Sequence, residues 1–185
     1  MLQHKISLVA ILSILAVPSA EAQSESGSAD PIIVSVQDGN DYIRDMFTKA
    51  ANQMLEKDYS FKPTPEVRSF GQLLAHVAST NYFFCSTASG EQPPMSNVEE
   101  EVTTRKDIQD ILSDSFDYCD AAYVTAVEKG DARVEFNGKD RSPMAVLNFR
   151  NYHALLHYGN VITYMRLRGK VPPSSQAAQS NQGPD

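Results

Sequence analysis

The stretch from Ser142 to Pro173, SPMAVLNFRNYHALLHYGNVITYMRLRGKVPP, carries helix punctuation at both ends. Ser142 offers a side-chain oxygen to cap the first turn, and Pro143 sits where a missing N–H costs nothing. Gly169 stands where a left-handed cap belongs, and Pro172 and Pro173 forbid continuation. Arg166, Arg168 and Lys170 bring positive charge to the negative end of the helix dipole. A helix this long needs partners of similar length.

Three more helical stretches lie upstream. Thr104 to Glu128 has Asp107 at its third helical position, Gly130 just beyond its end, and an apolar stripe through Ile108, Ile111, Leu112, Cys119 and Ala122. Ser69 opens another that reaches about Ala88, with Gln72 in the capping-box position. The first, about Gly39 to Lys57, lines up Ile43, Met46, Phe47, Ala50 and Met54 on one face before Pro63 and Pro65 end the region. Ala132 to Phe136 followed by Asn137-Gly138 fits a short hairpin that decorates the helices. The pattern predicts an all-α protein, a four-helix bundle.

The connection from Ser89 to Thr103 contains Pro93 and Pro94 and is long for antiparallel neighbours, which need only about 2 to 8 residues. Extended, it reaches roughly 50 Å, enough to return along a helix of ~30 Å and begin a parallel one. A crossover between the second and third helices is therefore favoured.

Composition narrows the function. The 185 residues are 42% hydrophobic and 21% charged, as an ordinary globular domain requires. A net charge of −7 argues against a nucleic-acid partner, because phosphate binding needs clustered Lys and Arg. Residues 1–22 read as a secretory signal: a short polar start with His4 and Lys5, an apolar run from Ile6 to Val17, then Pro18 and Ala20-Glu21-Ala22. That run has 12 residues, short of the ~20 that span a bilayer, so no stable membrane anchor is expected. The implied location is periplasmic or extracellular, in a bacterium. Residues 23–33 read as a flexible leader, residues 34–173 as the folded domain, and residues 174–185 as a disordered tail.

Outside the signal the histidines are His76 in the second helix and His153 and His157 in the fourth. A pair at i, i+4 projects from one helix face. A third imidazole from a facing helix would complete a three-nitrogen metal site with an open position for water. Imidazole suits Zn, Ni, Cu or Fe rather than Mg or Ca. The spacing alone leaves a second reading, in which His76 is a hydrogen-bonded core residue unrelated to the pair. His153-Ala154-Leu155-Leu156-His157 lacks the Glu of H-E-x-x-H, and no Glu-x-x-His of a di-iron bundle occurs.

Asn151 to Pro173, NYHALLHYGNVITYMRLRGKVPP, resembles the last helix of the DinB-like metal-dependent bundles, and Phe70 to Cys85, FGQLLAHVASTNYFFC, resembles their second. The resemblance implies an up-down-down-up bundle and a divalent ion, Zn or Ni, on His76, His153 and His157. Where that family often has Gln three residues after its last His, this chain has Asn160, which either reaches the site as an outer partner or is a polar residue of no consequence. A homodimer is common among bundles of this kind.

Cys85 and Cys119 lie at similar depths in helices two and three if those helices run parallel, and some 15 Å apart if antiparallel. Export makes a disulfide chemically feasible; two buried thiols are the alternative. For function, the resemblance implies a metal-dependent transferase or hydrolase acting on an unidentified small molecule. Characterised relatives activate low-molecular-weight thiols, which are mainly cytosolic and so sit awkwardly with an exported chain. The alternative is a non-catalytic metal-binding or partner-binding bundle. Tyr82, Tyr152 and Tyr164 are candidates for polar groups in a pocket above the metal, although helical spacing suits them equally to the core.

Overall fold

The computed structural model describes residues 30–180; the expected signal at 1–22, most of the leader and residues 181–185 lie outside them. Four long helices form the body: α1 (Pro31–Gln53), α2 (Phe70–Ser89), α4 (Arg105–Glu128) and α5 (Pro143–Leu167). A one-turn helix α3 (Val98–Glu101) interrupts the connection between α2 and α4, and a strand pair β1 (Val134–Phe136) and β2 (Lys139–Arg141) precedes α5. A last short helix, α6 (Pro173–Ser180), follows. Among the described residues no helix is long and apolar enough to cross a membrane.

Local chemistry sets the helix ends. Ser69 accepts from the N–H of Gln72 at 3.2 Å while the Ser69 N–H donates to the Gln72 side chain at 2.9 Å, a complete capping box. Thr104 and Ser142 cap α4 and α5 more simply, each accepting one backbone N–H, from Asp107 and from Ala145, at 3.2 Å. Gly169 takes φ +68° after α5, a conformation glycine adopts without steric cost. The hairpin turns on Asn137 and Gly138, both with positive φ, as the Asn-Gly pair requires.

Two boundaries differ from the sequence reading. α1 begins at Pro31 rather than near Gly39, so the last residues of the expected leader are helical. Asp30 accepts from the N–H of Ile32 at 2.8 Å and Pro31 takes the first helical position, a start signal that the polar composition upstream obscures. A further helix, α6, begins at Pro173 and occupies the first residues of the expected tail. The Ser174 N–H donates to the Tyr158 hydroxyl at 3.2 Å and docks this helix on α5.

Cross-helix pairs give the directions. Ile108 lies against Gly71, Asn81 donates to Ser115 at 3.0 Å, and Lys129 donates to the Ser89 carbonyl at 2.5 Å, so α2 and α4 run parallel. A disulfide joins Cys85 to Cys119 midway, with Cα atoms 5.2 Å apart. α1 is antiparallel to α4, as Asn40 donates to Asp120 and Gln109 to the Ala51 carbonyl. α5 is antiparallel to α2, with Tyr164 donating to the Arg68 carbonyl at one end and the Phe84 ring 5.7 Å from that of Phe149 at the other. The order is up-down-down-up, and the long connection is the crossover.

The core runs the length of the bundle. Phe47, Phe70, Leu74, Val77, Phe116, Val161 and Met165 are fully buried, each stabilising the fold by roughly 1.5–3 kcal/mol through apolar burial. A second cluster surrounds the disulfide, where Phe84, Tyr123 and Leu147 meet Phe136 from the hairpin. Arg150 is buried at the centre, 1% exposed, and donates to Asn40 at 2.6 Å, Asn81 at 2.8 Å and Asn151 at 3.0 Å. It ties α1, α2 and α5 together.

Candidate metal centre

His76 faces α5 from the N-terminal half of α2, about two turns from its cap Ser69. His153 and His157 face back from α5. Because α2 and α5 run antiparallel, the positions that bring Tyr164 to Arg68 at one end bring His157 and His153 to His76 further along. One ligand atom from each of the three imidazoles lies within 4.8 Å of the others. The rings of His76 and His157 meet edge-on with centroids 4.7 Å apart, and those of His153 and His157 at 4.6 Å.

The nitrogens of His153 and His157 that face each other are both Nε2, 3.1 Å apart. Four ligands arranged tetrahedrally at a Zn–N distance of about 2.0–2.1 Å stand roughly 3.3 Å from one another. The observed separation is close to that figure. The donor set therefore fits a small divalent cation: three soft-to-borderline nitrogens, held on two rigid helices, with no thiolate or carboxylate among them.

Protonation favours the same use. Burial, and then the neighbouring His153, His76 and Arg68, push His157 down to about 4. Burial, with His76 and Arg68 nearby, also lowers His153. At neutral pH both rings are neutral, the form in which imidazole binds a cation. The Nδ1 of His157 is buried without a protein partner.

One wall of the site is aromatic. The Phe84 ring lies 5.3 Å from that of His153 and 5.7 Å from that of Phe149. On the other side a cavity of about 460 Å³ opens beside His157, lined by Arg68, Leu73, Asn160, Thr163 and Tyr164 among others. Asn160 thus sits on the cavity wall, exposed and not hydrogen-bonded to a histidine. Tyr164 lines the same cavity, whereas Tyr82 is buried with its ring 5.4 Å from that of Tyr118, and Tyr152 is exposed on the α1 side of α5. Of the three tyrosines, then, Tyr164 is the one placed beside the histidines.

Two residues at the site went unread in the sequence. Glu99, from α3, receives the Nδ1–H of His76 on Oε1 at 2.6 Å and the Nε–H of Arg68 on Oε2 at 2.8 Å. Burial alone would raise the Glu99 carboxyl, but the hydrogen bonds from His76 and Arg68 prevail and hold it below the usual range. The helix that carries Glu99, Val98–Glu101, is a single turn and too short to show periodicity, so its position is not legible from the sequence; Arg68 carries no motif of its own.

Residues 41–161 match the family model of the DinB superfamily. Two solved structures share the fold. A DinB-like protein of Bacillus subtilis (YjoA) is 21% identical with a TM-score of 0.61, the match covering 74% of this chain and 94% of that one. A DinB-like protein of Bacillus cereus is 17% identical with a TM-score of 0.62, covering 76% of this chain and 95% of that one. No curated protein matches the sequence.

Proposed function

The chain belongs to the DinB superfamily, and from that membership we propose that it is an exported protein binding one divalent ion, Zn or Ni, through His76, His153 and His157. We further propose that it uses the ion for hydrolysis or group transfer on a small molecule. The observation that carries the reading is the convergence of three imidazole nitrogens within 4.8 Å, from helices whose packing is fixed elsewhere by the core. Export is supported by the signal-like pattern of residues 1–22.

A three-nitrogen site leaves a coordination position open, and a metal there lowers the pKa of a bound water or thiol and stabilises the anion formed. This chain's residues contribute the rest. α2 and α5 hold the imidazoles on rigid backbone, so little ordering is needed when a ligand arrives. The buried Phe84 ring covers His153 on one flank. The cavity beside His157 admits a small molecule, with Asn160, Thr163 and the Tyr164 hydroxyl as polar contacts along its wall.

Elemental analysis of the chain from Gln23 onward tests the metal, beside His76→Ala and His153→Ala variants. One Zn or Ni per chain, lost in both variants, is the expected result. Metal retained by both variants would overturn the three-histidine assignment. Loaded protein that turns over neither ester, amide nor thiol-transfer substrates would overturn the catalytic half and leave a metal-binding bundle.

A further inference from the structure

Resting on the three-histidine reading, we propose that Glu99 is a positioning residue for the metal centre. Anchored by Arg68, its carboxylate fixes the ring of His76 with Nε2 turned to the other histidines, and stays off the ion itself.

An ionised carboxylate can only accept hydrogen bonds, so its 2.6 Å contact with His76 places the ring proton on Nδ1. The lone pair is then on Nε2. Metal-ligating histidines are oriented in just this manner, by an acceptor on the ring nitrogen away from the ion. The second carboxylate oxygen is engaged by Arg68 at 2.8 Å. Each oxygen is thus held by a separate N–H donor, and the ligand atoms that converge within 4.8 Å come from His76, His153 and His157, not from Glu99.

The carboxylate is itself well anchored. Val98, the residue before it, is fully buried in the main core and pins α3 against the bundle. The Glu100 and Glu101 N–H groups both donate to the Asn97 carbonyl at 3.1 Å. Arg68 is held through its own carbonyl, which accepts from the Tyr164 hydroxyl of α5 at 2.7 Å. A chain of contacts thus runs from α5 through Tyr164, Arg68 and Glu99 to His76 on α2, linking the two helices that carry the ligands. Charge points the same way. Arg68 beside the centre opposes a cation, and Glu99 neutralises it, so removing Glu99 withdraws an anchor and exposes a repulsive charge together.

Zinc affinity, measured by competition with a chromophoric chelator, tests this in wild type, Glu99→Gln and Glu99→Ala. Thermal unfolding with and without zinc, and the visible spectrum of each protein loaded with cobalt(II), complete the set. We expect Glu99→Ala to weaken zinc about 10–100-fold, as loss of an outer partner does elsewhere, with Glu99→Gln between it and wild type. The rise in melting temperature on adding zinc should shrink in the same order, which a purely structural role for Glu99 would not produce. The cobalt bands should be unchanged in Glu99→Gln. Altered cobalt bands would make Glu99 a ligand and overturn the proposal, as would zinc affinity in Glu99→Ala within about twofold of wild type. Wild type that binds neither zinc nor nickel would overturn the three-histidine reading, and this one with it.

Discussion

Arg150 is a guanidinium in the middle of a hydrocarbon core, and its partners are amides rather than carboxylates. Three asparagine oxygens accept from it and the Phe116 ring lies 4.7 Å from its Cζ. Burial lowers its pKa to about 10, which still leaves it charged at neutral pH. Arg150→Ala strands the oxygens of Asn40 and Asn81, leaves Asn151 with the Tyr123 hydroxyl alone, and opens a cavity. It should cost about 3–5 kcal/mol in urea unfolding, with Arg150→Lys a poor rescue because the fork of donors is lost. His157 supplies a second test at this scale. Its folded pKa of about 4 lies below the unfolded value near 6.5, so between those pH values the unfolded chain binds more protons. In chelator, stability should be full above pH 6.5 and fall as the pH drops toward 4. His157→Gln should flatten that slope in thermal melts; an unchanged slope would contradict the assignment. Neither Arg150 nor Glu99 could be read in advance, because a single charged residue in a helix or loop carries no periodicity to show what surrounds it.

Individual helices were far more legible than individual contacts. The starts of α2, α4 and α5 are written in Ser69, Thr104 and Ser142, and in the proline and glycine around them, since capping is a local bond between near neighbours. α3 and the early start of α1 were missed for the opposite reason: four residues have no period, and Asp30-Pro31 is a short signal beside a Ser-rich stretch. Arg168 also departs from expectation. Beyond complementing the α5 dipole, it donates to the buried Asp58 at 2.8 Å and lies over Phe61, closing the α1–α2 connection. The disulfide is the strongest inter-element link that variants can probe. Cys85 and Cys119 are 34 residues apart, and a loop of that length corresponds to about 4 kcal/mol of unfolded-state entropy. Replacing both by Ala should lower the unfolding free energy by roughly 2–4 kcal/mol, and reductant should then have no further effect. If reductant destabilises the double variant as much as wild type, the bond is not what holds α2 to α4.

Topology gathers the chemistry. The length of the Ser89–Thr103 connection announced a crossover, because antiparallel neighbours do not need fifteen residues, and the parallel α2–α4 pair is its result. That arrangement leaves α5 to pack antiparallel on α2, which sets His153 and His157 against His76. The i, i+4 pair was visible in the sequence; its meeting with His76 depended on helix order, which the long connection favoured and the resemblance completed. The same crossover lays α3 across α2 and delivers Glu99 to the far side of the His76 ring. Cavity lining likewise follows from assembly: Arg68 before α2 and Asn160 and Tyr164 on α5 are remote in sequence and meet beside His157.

The most direct measurement is a crystal structure of zinc-loaded protein with diffraction recorded on both sides of the zinc absorption edge. One anomalous peak should lie about 2.0–2.1 Å from a nitrogen of each of His76, His153 and His157, with the Glu99 carboxylate bonded to His76 Nδ1 and not to the ion. A peak held by other residues, or none at this cluster in protein soaked with excess zinc, would contradict the account.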